Sequence, residues 1–566
     1  MNSINVFKFF IKETDPKIWF KVLVNFIFQF SIVISEILFL STFFLILNKK
    51  TVSGHLDLFY QNLKEFIFPL FSNSSATEIY IVILIIFLVL KNLLFIVHNI
   101  YYANFIFKLS VDKSAEVLKS YMNKSYELFS KKEISIYIKE IVKDVDNVFV
   151  GIFGLVITII GEILYVVILL FFLSNLIDFN LTIEIFFQFL LLATILFILF
   201  YISKKVGETR AENEIQVFKV LSDTLNVFKE IKLLENSKDF ILRFKEYSNK
   251  FYGTRVVSGA INLAPKFILE FFLLLFFYII YKNEAAELNI DEFVLKYSVV
   301  VFALLRLIPS FSKIAASFSI ILYNLDSIKF ISPGLKNKTP SDKKKILSKS
   351  IIKKIELKNI NLNYTRNNNS GLSKKFDNLN LNFKKNNIYG IYGESGSGKT
   401  SLLNLLSGFI KPNKGKILIN NKSYKFYDLT RKFKIGYAPQ IATILDENIE
   451  LNATMSYQNK IEDILRLKNY LKQLNLKKFL NKNYFKNNNI SSIKNMSGGE
   501  KQRIGFIRSI IREPNLLLLD EPTAFLDKKN EKRIFDFLNI IKQDKIIVVT
   551  SHKKEQKKYF DCIINL

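Results

Sequence analysis

Cysteine is almost missing from this chain. The single Cys562 among 566 residues excludes an intrachain disulfide and any metal cluster built on several thiolates. Charge is missing from long stretches as well: Ile81–Leu90 and Leu190–Phe200 carry none. The apolar stretches around them approach the roughly 20 residues needed to cross about 30 Å of hydrocarbon. They concentrate before residue 325, exclude a purely soluble enzyme or a disordered basic tail, and identify an integral membrane protein. No small-residue cleavage site follows a short apolar core near the start, so no removable signal peptide is read there.

Basic residues, by contrast, are abundant. The 79 Lys+Arg against 50 Asp+Glu leave 79 − 50 = +29, a charge whose simplest use is to fix membrane orientation, so no nucleic-acid partner is expected. Six apolar segments can be drawn, at about 18–48, 78–107, 147–174, 181–203, 256–282 and 293–323. Ser174–Thr182 lacks Lys and Arg and Asn283–Glu292 is acidic, whereas the connections at about 108–146 and 204–255 are lysine-rich. The positive-inside rule places those two long connections in the cytoplasm.

Proline is absent from Glu212–Phe251, which keeps Val217, Val220, Leu221, Leu225, Phe228 and Ile231 at helical spacing. The spans are therefore expected to continue as helices beyond the bilayer, with hairpin tips near Tyr126–Ser130 and Leu221–Phe228. Between the first two spans, His55–Phe71 reads as an amphipathic stretch lying against membrane lipids in the outer interface.

Composition turns polar and lysine-rich near Ile331–Gly334, dividing a membrane domain over 1–335 from a soluble domain over 336–566, with 336–350 as a solvated linker. The soluble part carries Gly393-Glu394-Ser395-Gly396-Ser397-Gly398-Lys399-Thr400, between a strand pattern at Ile388–Tyr392 and a helical run at Ser401–Leu406. In that context the motif is a P-loop. Its glycines let backbone N–H groups converge on phosphate oxygens at a helix start, Lys399 reaches the outer phosphates, and Thr400 can sit on Mg²⁺. A second element supports it: the apolar strand Leu516–Leu519 ends in Asp520 and Glu521, an acid for the metal and one to orient water. Ser497-Gly498-Gly499-Glu500 opens a further helix, a second anion-binding terminus that makes most sense if it completes the site of another copy.

With these motifs in this order, the soluble domain resembles an ATP-binding cassette, an α/β P-loop domain. The resemblance makes ATP and Mg²⁺ the bound groups and implies that Gly393, Ser395, Gly396, Gly398, Lys399, Thr400 and Ser401 hold phosphate. It implies that Tyr364 stacks on adenine, that Gln440 is the lid-loop glutamine joining Thr400 and Asp520 at the metal, and that Glu521 is the hydrolytic glutamate. Asp527 becomes the D-loop acid and His552 the switch histidine, while Ser497, Gly498 and Gly499 form the signature. Met496 and Glu500 stand where Leu and Gln are usual, Asn487–Asn495 lacks the glycine-bearing pattern common in exporters, and Phe525 replaces a small D-loop residue. These departures bear on rate and domain coupling rather than on ATP binding.

A six-span α-helical membrane domain followed by one cassette resembles the half-transporters of the exporter type. That implies a homodimer with coupling helices at the hairpin tips. Lys91, Lys266, Arg306 and Lys313 fall within spans, where charge usually faces a cavity. They favour an anionic head group, with pairing to Glu36, Glu162 or Glu270, or snorkelling at helix ends, as the alternative. Pro265-Lys266 with Glu270, and Ala303–Ser310 with Lys313, resemble PglK-type flippases of lipid-linked oligosaccharides. By that resemblance the chain is an ATP hydrolase that flips a pyrophosphate-linked lipid across the bacterial inner membrane, its cassette in the cytoplasm. Export of peptides, drugs or other lipids stays open, as does an ATP-gated channel or regulatory subunit.

Overall fold

The computed structural model describes residues 9–48, 76–174, 179–284, 290–336, 350–365, 372–394, 396–424, 429–485 and 495–566. The interfacial stretch at 55–71 and most of the linker lie outside these residues, as do 175–178 and 285–289 in the two short connections between spans. The chain forms two compact units: 1–123 with 132–339, and 124–131 with 340–566.

The first unit is built from long helices: α1 (Pro16–Asn48), α2 (Ala76–Met122), α3 (Leu155–Ser174), α4 (Phe179–Asn226), α5 (Ser237–Glu284) and α6 (Ile290–Lys336). All six apolar segments of the sequence fall on helices. At 1.5 Å per residue, the 47 residues of α2 extend about 70 Å, more than twice the hydrocarbon thickness. Five stretches of the described residues are long and apolar enough to cross: Pro16–Phe43, Glu78–Met122, Ile134–Phe171, Ser237–Leu275 and Leu307–Pro333. In α4 the side chains of 179–193 are outside the described set. The sequence places apolar residues on the outside too. Phe20, Leu23, Ile27 and Phe30 recur at alternating steps of three and four along α1 and are all exposed, an arrangement suited to lipid rather than water.

Inside the unit, Phe39 and Leu40 of α1 pack with Ile79, Ile83 and Phe87 of α2, Val166 and Leu169 of α3 and Leu307 of α6. Helix α4 meets α6 at Gly207, where a Cβ would sit 2.5 Å from the carbonyl oxygen of Tyr323. A larger residue could not occupy that crossing without moving the backbone.

Ahead of α3, residues Ile134–Gly154 alternate α-helical turns with π-helical turns at Glu140–Asp144 and Phe149–Gly154. The first π-helical turn accompanies a buried charge cluster. Lys139 Nζ lies 3.0 Å from Asp144 and 3.7 Å from Glu214, Arg210 lies 3.5 Å from Glu214, and the Ser327 hydroxyl donates to Asp144 at 2.9 Å. The cluster joins the segment before α3 to α4 and α6 and is internally neutral, so breaking it should be costly although forming it gains little. Asp144→Ala, which leaves Lys139 and Ser327 without that acceptor, is expected to destabilise the protein by about 3–5 kcal/mol. A detergent melting curve unchanged from wild type would show that the cluster carries no such weight.

The hairpin tips differ from expectation in one respect. The first is a short helix, Tyr126–Phe129, and residues 124–131 group with the second unit, the Tyr126 ring 5.1 Å from that of Phe409. The second is Phe228–Leu233 rather than Leu221–Phe228, because α4 continues to Asn226 and the chain breaks at Val227 (φ −106°, ψ 29°). Helix α6 likewise runs through Pro333 to Lys336, past the composition change that suggested an end.

In the second unit, β1 (Lys354–Thr365), β2 (Leu372–Lys384), β4 (Lys414–Ile419) and β5 (Lys422–Ser423) form an antiparallel sheet in the order β2-β1-β4-β5. A parallel sheet runs β6-β7-β8-β3-β9, from β3 (Asn387–Tyr392), β6 (Ile435–Ala438), β7 (Leu516–Asp520), β8 (Ile546–Ser551) and β9 (Cys562–Asn565). Every residue of β7 and β8 is buried, the pattern of strands covered on both faces. Helices α7 (Lys399–Ser407), α8 (Gly498–Ile510) and α9 (Lys528–Ile541) complete the framework of the site.

Candidate functional site

Chemistry in an open parallel sheet gathers at the carboxyl ends of its strands, and here β3, β7 and β8 end side by side. The parallel register sets Asp520 against Thr550 and Tyr392 against Ser551. From β3 the chain enters the glycine-rich loop. Gly396 (φ 85°) and Gly398 (φ 107°) adopt left-handed backbone, and a Cβ on Gly398 would lie 2.9 Å from the Phe376 ring. Only glycine suits that position. The loop then delivers Lys399 and Thr400 into the first turn of α7.

Lys399 Nζ donates to the carbonyls of Gly393 (2.7 Å) and Glu394 (3.0 Å), spanning its own loop. The Ser397 hydroxyl is buried without a hydrogen-bond partner among the described residues. Ser395 lies outside those residues; Tyr364 pairs with Ser373 through the backbone of β1 and β2, but its ring is not described. The Thr400 hydroxyl donates to Asp520 Oδ2 at 2.9 Å, while Thr550 donates to Asp520 Oδ1 at 2.8 Å. This set fits a magnesium nucleotide: an orphaned polar atom and N–H groups for phosphate, and a hydroxyl beside a carboxylate for a hard cation.

Glu521 adopts left-handed backbone (φ 46°), a conformation that a non-glycine residue needs help to hold. Its N–H donates to Thr550 Oγ1 at 2.9 Å, and its carbonyl accepts from the buried Gln502 side chain at 2.9 Å. Its carboxylate is thereby presented to Gln440 Nε2 at 3.0 Å and His552 Nδ1 at 3.3 Å, both at Oε2. Gln440, Glu521 and His552, far apart in sequence, are thus brought to one carboxylate.

The start of α8 forms a capping box: Glu500 N–H donates to Ser497 Oγ (3.3 Å), and Ser497 N–H donates to Glu500 Oε2 (3.0 Å). Ser497 and Gly498 are exposed. Glu500 also pairs with Lys478 at 2.5 Å. Burial opposes ionisation of Glu500, but the Lys478 ammonium and the Ser497 N–H outweigh it and hold the carboxyl below the ordinary glutamate range. Asp527 caps α9, accepting from Asn530 N–H at 2.7 Å.

In the membrane unit, a cavity of about 390 Å³ is lined by α1, α2, α3 and α6. Lys91 and Lys313 both line it, but neither stands alone: Lys91 pairs with the buried Glu36, and Lys313 lies 2.6 Å from Glu162. Lys266 does not line this cavity; it is 58% exposed on α5, 3.9 Å from Glu270. Arg306 is on α6, its side chain outside the described residues. Sequence reasoning passed over Thr550, Gln502 and Lys478, and also His98, which borders the cavity with its Nε2 2.9 Å from Asn25 Oδ1. Only Thr550 left a trace, a hydroxyl closing an apolar strand just before Ser551-His552.

A P-loop ATP-binding unit joined to a helical multi-pass membrane unit is the class these features define. The family model for the ABC transporter transmembrane region matches residues 18–307, and the ABC transporter model matches 376–524. The chain belongs to the ABC transporter family. It is 33% identical over 219 residues to the lipoprotein-releasing system ATP-binding protein LolD of Rickettsia bellii, covering 38% of this chain and 94% of that one. It is 31% identical over 214 residues to a putative export ATP-binding/permease protein of Rickettsia prowazekii, covering 37% of this chain and only 36% of that relative. A solved bacterial Atm1-family ABC exporter with ATP bound shares the fold, with a TM-score of 0.76, 15% identity and coverage of 98% of this chain and 94% of that one.

Proposed function

We propose that two copies of this chain form an ATP-driven exporter in a bacterial inner membrane, with the ATP-binding units in the cytoplasm. The observation that carries the reading is the division of labour at the site. One chain brings together Lys399, Thr400, Asp520 and the Gln440–Glu521–His552 cluster, while the exposed start of α8, with Ser497, Gly498 and Gly499, offers backbone N–H groups to a phosphate held elsewhere. Symmetric pairing supplies that phosphate from the partner's P-loop and yields two composite sites, with Asp527 carried to the same interface.

Within each site, Thr400 and Asp520, with Gln440 beside them, would hold Mg²⁺, which neutralises phosphate charge when bound. Lys399 exchanges its loop carbonyls for the outer phosphates. Gln440 and His552 engage Glu521 Oε2, so Oε1 is the oxygen that takes the water proton, and His552 also reaches the terminal phosphate. Tyr364 stacks on adenine, and Ser395, Ser401 and the loop glycines line the phosphates. An ATP-gated channel or regulatory subunit would need no such hydrolytic cluster.

For the cargo, a lipid-linked oligosaccharide is supported by Lys91 and Lys313 lining one cavity, cations suited to a pyrophosphate. Arg306 is assigned to the same path from the sequence. The pairing with Glu36 and Glu162 favours a second reading, export of a zwitterionic or neutral peptide or drug, because the paired charges leave no net anion site.

Mixed dimers test the composite site. With Lys399→Ala on one chain and Ser497→Arg on the other, one intact site remains; with both substitutions on one chain and a wild-type partner, none does. ATP turnover is expected from the first pairing and not from the second. Turnover that follows the number of unmutated chains would place each site within a single chain.

A further inference from the structure

Glu500 puts a carboxylate at the third position of the helix whose start would receive phosphate. A negative charge there suits the helix, since it meets the positive end of the backbone dipole. It does not suit an incoming phosphate, which seeks the same N–H groups and the same field. The structure holds a counter-charge on this carboxylate. Glu500 Oε2 is committed to the Ser497 N–H, and Oε1 is 2.5 Å from Lys478 Nζ.

Lys478 is presented there by a fixed element. It belongs to the short 3₁₀ turn Lys477–Leu480, whose Phe479 is buried in the core and stacks edge-on against Tyr484. The Lys478 ammonium also lies 4.9 Å from the Phe479 ring centre. The lysine is half-exposed while its partner carboxylate is largely buried, so it can neutralise Glu500 without occupying the helix start. Arg503 adds a weaker favourable charge to Glu500 but donates its hydrogen bonds to the carbonyls of Gly499, Leu474 and Asn475, which leaves Lys478 as the cation bonded to the carboxylate.

We propose that Lys478 is a charge-compensating residue of the nucleotide site. By neutralising Glu500, it lets the start of α8 accept the phosphates of a nucleotide bound on the partner chain, and so sets the ATP concentration at which the site fills. The inference rests on the composite-site reading. It assigns a positioning role to Lys478, which need not touch nucleotide.

The test is steady-state ATP turnover by the full-length protein with Lys478→Gln, Glu500→Gln and both together. A charge at a helix terminus changes binding by a factor of about two to five. Lys478→Gln is therefore expected to raise KM for ATP by about that factor, with kcat changing less, and Lys478→Arg to restore it. Glu500→Gln keeps the capping box, since glutamine serves at this position, and should lower KM. In its presence Lys478→Gln should have no further effect, the non-additivity expected of a coupled pair. An equal KM increase with and without Glu500→Gln would overturn the proposal.

The mixed dimer with one intact site separates this failure from failure of the composite reading. Lys478→Gln is placed either on the chain that supplies Ser497 or on the chain that supplies Lys399. A KM shift confined to the first supports the proposal. A shift confined to the second overturns it by removing the composite site, and no shift in either overturns it by removing the charge compensation.

Discussion

Replacing Glu521 by Gln should reduce ATP turnover by about 100- to 10,000-fold, the range for loss of a positioned general base, and leave nucleotide binding in place. The substitution leaves Lys399 on its loop and Thr400 bonded to Asp520, and glutamine keeps a side-chain oxygen to accept from Gln440. The substitution also spares the backbone contacts that hold position 521 in its left-handed conformation, to Thr550 and Gln502. What it removes is the carboxylate between Gln440 and His552, the group proposed to accept the water proton. The expected product is a dimer that retains ATP, read as bound nucleotide after rapid filtration beside phosphate release. Near-normal hydrolysis by this variant would take Glu521 out of its assigned role.

The P-loop and the Asp520-Glu521 pair were legible in the sequence because their chemistry is contiguous. A glycine-rich turn between a strand and a helix, or two acids at a strand end, can be read without knowing any neighbour. The six apolar segments were legible for the same reason, since crossing hydrocarbon demands length and composition in one stretch. The second hairpin tip was misplaced because helical periodicity continues past the break at Val227, and no glycine or proline marks it. Partnership was the least legible property. Periodicity gives the face of a helix but not what stands opposite, so Lys478 beside Glu500 is a fact of packing. The sequence favours an anion site for the cations and offers Glu36, Glu162 and Glu270 as the alternative, and the structure has that alternative: the cavity around Lys91 and Lys313 holds a carboxylate for each.

That balance changes how the cargo must be tested. Glu36 is buried, and removing Lys91 alone would take the ammonium away from a buried carboxylate at a cost of about 3–5 kcal/mol, so lost transport would report lost structure. The informative variant neutralises both pairs together: Lys91→Gln with Glu36→Gln, and Lys313→Gln with Glu162→Gln. Replacing whole ion pairs is close to neutral for folding. If an anionic head group displaces the carboxylates and binds the lysines, reconstituted flipping of a fluorescent pyrophosphate-linked lipid should fall at least about tenfold, the scale of one or two lost charge-assisted contacts. Basal ATP turnover should persist, because no residue of the hydrolytic cluster is altered. Lys313→Arg should be tolerated better than Lys313→Gln, since a pyrophosphate accepts either cation. Lys266→Gln serves as the control, its side chain lying exposed beside Glu270 rather than in the cavity. Undiminished flipping by the variant lacking both pairs would remove charge from cargo recognition and leave export of a peptide or drug as the better account of a cavity with balanced charge.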